Sequence, residues 1–263
     1  MRPYLAILSA RFRLLLQYRA AAVAGFVCQL FFGLVIVMSL EAFYGSVNSP
    51  QPIDLPQVIT YVWLGQAFLG LLPWRGDGEI EAAILTGNVA YELLRPVDLY
   101  AMWYARALAL RVAPTLLRCL PMLIVAMLVL EMRPPASLAA AAAFVAAIAA
   151  ASLLAASISV LMMLPMLWTL SGRGVNSIVS AVVNIFSGII IPLPLLPEGL
   201  RRIVELLPFA GLMDLPFRLY VGNIPPRHAA GVLALQLGWT AVLVLLGRWV
   251  LARGTRRMVV QGG

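Results

Sequence analysis

The 263-residue chain has no lysine; all 19 of its basic residues are arginine. Without lysine a GxxxxGK[ST] phosphate loop cannot exist, so any ATP the protein uses must be bound by another chain. Histidine occurs once, at His228, and a lone imidazole cannot build the clustered ligand set of a hydrolytic metal site. The two cysteines, Cys28 and Cys119, lie in apolar runs and match no metal-binding spacing. They cannot form a disulfide framework and read as small apolar fillers. Charge is scarce at 11% of residues, against roughly a quarter in soluble domains. With 62% hydrophobic residues and a mean hydropathy of +0.94, this excludes both a soluble globular domain and a disordered chain. A net charge of +8 would suggest nucleic acid in a soluble protein, but no polar surface here is large enough to bind it. The arginine excess instead reads as the orientation signal of a multi-pass membrane protein.

What the chain has in quantity is apolar sequence. A helix needs about 20 apolar residues to cross a ~30 Å hydrocarbon core. Six stretches qualify, at about 20–43, 58–74, 112–130, 138–164, 175–195 and 229–251. Backbone groups in lipid must be satisfied within the segment, so each reads as helix. The expected fold class is all-α: one polytopic transmembrane domain, residues 1–263, with six transmembrane helices. With the N-terminus in the cytoplasm, thirteen arginines fall on inner segments and five on outer ones. That bias places both termini inside. Residues 1–19 read as an amphipathic interface helix on the inner leaflet rather than a secretory signal, with Leu5, Leu8, Phe12, Leu15 and Leu16 on its apolar face. Residues 197–228 read as two short amphipathic helices in the outer interface. Leu200, Ile203, Val204 and Leu207 form an apolar face there, and Glu198–Arg202 and Asp214–Arg218 are i,i+4 pairs.

The largest inner loop, 75–111, is the informative polar region. Asp77, Glu79 and Glu81 open a short helix, where acids complement the positive helix end. Gly87 or Asn88 closes it, and Asp98 is placed as the N-cap of the helix entering span three. A helix held between two spans has the shape of a docking element. Inside the membrane, Ser177, Ser180, Asn184 and Ser187 recur at spacings of 3, 4 and 3. Such a stripe faces protein or a water-filled path. Ala139, Ala143, Ala147, Ala151, Ala155 and Ser159 give span four a small-residue face for close packing. Arg111 and Arg118 share one face of span three, where they either snorkel to the inner interface or line a cytoplasmic entrance. Pro114 and Pro121 are candidate kinks in that helix. No catalytic constellation emerges; Ser187 and His228 sit at mismatched depths for an intramembrane Ser–His pair.

This order of elements resembles the membrane subunit of an ABC-2 type exporter. The stretch FSGIIIPLPLLPEGLRRIVELLP, 186–208, resembles that family's Ser-Gly…Pro…Leu-Pro signature before the last span. YRAAAVAGFVCQLFFGLVIVMSLEAFY, 18–44, and ELLRPVDLY, 92–100, resemble a bacterial branch with members labelled viologen or multidrug exporter permeases. The resemblance implies a permease of the bacterial cytoplasmic membrane, without catalysis or a cofactor of its own. It implies pairing with a second permease, like or unlike, above two ABC ATPase subunits that bind ATP and magnesium. Asp77, Glu79, Ile80, Glu81 and Leu85 would belong to the coupling helix seated on the ATPase. Spans two and five would line the path, bringing Ser177, Ser180, Asn184 and Ser187 into it, with Arg111 and Arg118 at its entrance. The implied substrate is hydrophobic or amphipathic: a drug, lipid or glycolipid. The alternatives are a stand-alone membrane enzyme, for which clustered polar groups are missing, and a secondary transporter, which typically shows repeated halves and embedded carboxylates.

Overall fold

Side-chain caps fix where four of the helices begin. The computed structural model describes residues 2–17, 19–47, 50–169 and 171–255. Tyr18, Arg256, Arg257 and the side chains of Arg2 and Arg19, which entered the sequence reading, lie outside what is described. α1 (Arg2–Leu16) and α2 (Arg19–Ser46) come first. α3 (Leu55–Phe68) opens on a capping box: the Asp54 carboxylate accepts from the Gln57 N–H, and the Gln57 side chain accepts from the Asp54 N–H. It tightens into a 3-10 turn at Leu69–Leu71. Asp77 caps α4 (Gly78–Leu85), which Gly87 closes at φ +75°. α5 (Val89–Leu93) follows, and Asp98 caps α6 (Leu99–Val129), as its spacing indicated. Ser137 caps α7 (Leu138–Met163). Then come α8 (Met166–Thr169), α9 (Arg173–Phe186), α10 (Glu198–Leu206), α11 (Asp214–Tyr220) and α12 (Ala229–Thr255). No strand occurs among the described residues, in keeping with the all-α expectation.

Four stretches are long and apolar enough to cross a membrane: Ala22–Ser46, Leu99–Val129, Leu138–Thr169 and Pro226–Thr255. Two shorter ones, Leu55–Leu71 and Arg173–Phe186, stand where spans two and five were expected. At 1.5 Å per residue, α9 is about 21 Å long, short of a ~30 Å core. The expectation of one helix over 175–195 is therefore corrected. The helix stops at Phe186 because Gly188, at φ +83°, turns the chain, and Pro192 and Pro194 follow. Span three errs the other way, since α6 runs as helix from its Asp98 cap through both Pro114 and Pro121.

α6 and α7 form the centre of the packing. α1, α2 and α3 lie on α6, and α11 and α12 lie on α7. The small face of α7 is buried at Ala147, Ala151, Ala155 and Ser159, whereas Ala139 is exposed. α2 approaches its neighbours through glycine. A Cβ at Gly33 would lie 2.5 Å from the Trp63 ring, and one at Gly25 would lie 2.8 Å from the Arg118 guanidinium carbon. Tyr61, Phe68, Phe144, Phe217 and Tyr220 meet in edge-to-face pairs with centroids 5.1–5.5 Å apart, each worth about 0.5–1.5 kcal/mol. α10 is amphipathic, with Leu200 and Ile203 exposed and Val204 buried. α11 presents no open apolar face: Asp214, Leu215, Pro216, Phe217, Leu219 and Tyr220 are all buried in the protein. Its polar pair turns inward, and an i,i+4 pattern alone does not reveal that.

Ala151→Leu should overpack the α6–α7–α12 contact, costing about 1–3 kcal/mol. The check is thermal unfolding in detergent, where a lowered midpoint is expected and an unchanged one would show that α7 tolerates bulk at this point.

Candidate functional site

α4 is fastened to the bundle by both its apolar and its acidic residues. Ile80 and Ile84 bury in a cluster with Met102, Trp103, Val160 and Met163. Asp77 and Glu79 both pair with Arg11 of α1. Arg106 of α6 meets three carboxylates, Asp77 at 3.6 Å, Glu79 at 3.1 Å and Glu92 at 3.1 Å. Glu92 also accepts from the Trp103 indole N–H at 2.7 Å. Glu81 accepts from the Asn176 amide of α9 at 3.2 Å. Asp77 is 1% exposed and Arg11 and Arg106 are 14% exposed, so the Asp77 pairs are shielded from water, whereas Glu79 is 61% exposed and its pairs are weakened by solvent. Among the residues expected to face an ATPase, Asp77 and Ile80 point inward and Glu79 and Glu81 are engaged, while Leu85 stands exposed. The outward apolar surface continues through Tyr91, Leu93 and Leu94.

A second polar cluster closes the near end of α3. The Arg111 Nε donates to the Ser159 hydroxyl at 2.9 Å, and its terminal nitrogens donate to the carbonyls of Leu72, at 3.1 Å, and Arg75. These carbonyls are released where the 3-10 turn ends, so Arg111 acts as a C-terminal clamp. Arg111, expected either to snorkel or to line an entrance, is buried, with its guanidinium bonded to Ser159 and to these two carbonyls. Next to it, the Trp74 carbonyl accepts from the Ser180 hydroxyl, and the Trp74 indole donates to Asn184 at 3.0 Å. The span-five stripe therefore divides. Ser180 and Asn184 grip Trp74, Ser177 is exposed, and Ser187 is buried with no partner for its hydroxyl among the described residues. Arg118 rests against Gly25 of α2, its Nε without a hydrogen-bond partner among the described residues.

The far end of α9 is closed by Asp214. Its carboxylate accepts from the Tyr61 hydroxyl at 2.9 Å, the Leu193 N–H at 3.1 Å and Arg218 at 3.2 Å. Its own N–H donates to the Ser187 carbonyl at 3.1 Å, and Tyr61 also donates to the Gly188 carbonyl at 3.2 Å. Arg218 extends the network to Glu205 and to Asn223. A Cβ at position 188 would collide with the Tyr61 hydroxyl and lie 3.1 Å from Asp214 Cβ. Both that packing and the positive φ demand glycine.

The family model described as "ABC-2 family transporter protein" matches residues 30–262. The chain belongs to that family. No curated protein and no solved structure matches it significantly. Apolar helices of crossing length and family membership together make this a membrane-embedded transporter component.

In this ABC-2 protein, the connecting residues are partly ones that sequence reasoning missed. Arg106, Tyr61 and Trp74 carry the links, and Asp214 was read only as a partner that neutralises Arg218. The available signals were an arginine and five acids in one loop, and a tyrosine within an apolar run. Ser187 and His228 form no Ser–His pair, since Ser187 is buried and His228 is exposed at the start of α12. Among the described residues no three His, Cys, Asp or Glu side chains cluster as metal ligands.

Asp214→Ala should leave Arg218, Tyr61 and the Leu193 N–H without their acceptor, at about 3–5 kcal/mol. Asp214→Asn should cost less, because its amide oxygen still accepts. Unfolding in detergent checks this order, and equal losses would show that the carboxylate is not the organising group.

Proposed function

We propose that this chain is the transmembrane permease subunit of an ATP-driven ABC-2 type exporter that moves a hydrophobic or amphipathic substrate out of the cytoplasm. The observation that carries the reading is α4. Its acids join it to α1, α6 and α9, while Leu85, Tyr91, Leu93 and Leu94 remain exposed beside it. An element so arranged passes a push received on its apolar side to three helices at once. ABC ATPase subunits seat against that side, and they bind and hydrolyse the ATP; the permease needs no cofactor of its own. Closure of the ATPases shifts the permease between inward- and outward-facing states by rigid-body motion.

α3 and α9 complete six crossings despite their length. Non-helical backbone is tolerated at membrane depth where protein buries and bonds it, and Arg111, Asp214 and Tyr61 supply those bonds. The arginine bias supports placing both termini and α4 on the cytoplasmic side of a bacterial inner membrane. The path forms between α3 and α9 and the corresponding helices of a second permease, with Ser177 available to line it. Amphipathic drugs, lipids and glycolipids suit walls of this composition.

Two variants separate docking from transmission. Leu85→Glu with Leu94→Glu should abolish co-purification of the ATPase subunit while the permease still folds. Arg106→Gln should retain the complex but lower ATP-driven transport by roughly 5–150-fold, the usual span of a coupling energy. A wild-type permease that purifies stable and active without any ATPase would overturn the proposal.

A further inference from the structure

We propose that the cleft between α1, α6 and α12 is a binding site for one anionic phospholipid, its acyl chain in the cleft and its phosphodiester at Arg248. The cavity holds about 350 Å3 and is walled by Leu5 and Leu8 of α1, Ala105 and Leu108 of α6 and Val244 of α12. That volume lies in the range of pockets that enclose small ligands. A second cavity of about 500 Å3 opens beside it, and Tyr100 and Arg248 line both. The site is thus an apolar slot with one polar end.

The polar end is built rather than incidental. Tyr100 is 2% exposed, and its hydroxyl has no hydrogen-bond partner among the described residues. A buried donor left unpaired is costly, and a phosphodiester oxygen would answer it once the ring turns toward the slot. Gly247 admits the ring, since a Cβ there would lie 2.6 Å from Tyr100 Cε2. The Arg248 guanidinium sits 5.3 Å from the centroid of that ring and pairs with Asp98 at 3.1 Å, yet remains about half exposed. Asp98 is also held as the cap of α6, accepting from the Ala101 N–H at 2.7 Å, so it cannot swing to cover Arg248 further.

The ligand class follows from where the slot begins. On α12 the exposed Trp249 ring stacks under Arg253 at 3.9 Å, and exposed Trp beside Arg is the signature of the headgroup level. From Tyr100 to Leu108 the slot runs inward by about 12 Å at 1.5 Å per residue. A free anion would leave the apolar walls unfilled, and a neutral hydrocarbon would leave Tyr100 and Arg248 unanswered. A zwitterionic headgroup would bring a cation beside Arg248. A lipid seated here pins α1 to α6 and α12, and α1 carries Arg11 to the carboxylates of α4. The site therefore steadies the coupling region without depending on what the protein transports or which ATPase it meets.

The test is native mass spectrometry of the purified full chain in detergent, with dioleoyl phosphatidylglycerol against dioleoyl phosphatidylcholine. One phosphatidylglycerol should survive per chain at energies that strip phosphatidylcholine. Arg248→Gln should weaken that retention by about tenfold, and Ala105→Phe, which fills the slot, should abolish it. Glycerol phosphate should not compete. Equal retention of both lipids, an unchanged Arg248→Gln, or displacement by glycerol phosphate alone would overturn the proposal. If Ala105→Phe fails to fold, the half-exposed Arg248 position decides the matter. Absence of any ATPase partner would leave this result untouched.

Discussion

Backbone groups inside a hydrocarbon core have no water to bond, and this constraint governs the rest of the structure. α3 and α9 both leave helical geometry before a crossing is complete, and each break releases carbonyl and N–H groups. Buried ionisable side chains take them up: Arg111 at the end of α3, and Asp214, with Tyr61, at the end of α9. Replacing either by an apolar residue would remove these bonds from backbone buried inside the protein. The two charged residues thus support the fold, and they explain why polar groups are buried in a chain with so little charge.

The same two breaks lie on one connected polar route. Glu81 holds Asn176 on α9, Ser180 and Asn184 of that helix hold Trp74, and Trp74 adjoins the carbonyls held by Arg111. Asp77 and Glu79 join the route to α1 and α6 through Arg11 and Arg106. Hydrogen bonds in a low-dielectric interior reinforce one another, so displacement of α4 is carried along the route rather than dissipated. α4, α3 and α9 are thus joined by one polar network, which is the connection the proposed coupling of α4 to the two short helices needs.

Much of this was legible in the sequence where one physical signal dominates. Long apolar runs located α2, α7 and α12, and the Asp77 and Asp98 caps marked helix starts correctly. The four-residue alanine repeat gave the packed face of α7. The misses have specific causes. Hydropathy counts the isoleucines after Gly188 as membrane sequence but cannot see the positive φ that ends α9 before them. The Asp214–Arg218 spacing is the same whether the pair faces water or, as here, a buried tyrosine. Arg111 looks like a snorkelling side chain because sequence does not show the Leu72 and Arg75 carbonyls beside it. The acids of α4 announced a polar helix, but their partners Arg11 and Asn176 lie 66–95 residues away in the chain.

The central claim is that α3 and α9, though short and broken, cross the membrane. Side-specific thiol labelling decides it most directly, using single cysteines at Pro52, Asn88, Ser171 and Gly199 in a chain with Cys28 and Cys119 replaced by alanine. Six crossings predict that the cysteines at 88 and 171 label from one face and those at 52 and 199 from the other. Labelling of all four from the same face would leave only the four long helices as spans and would contradict the account.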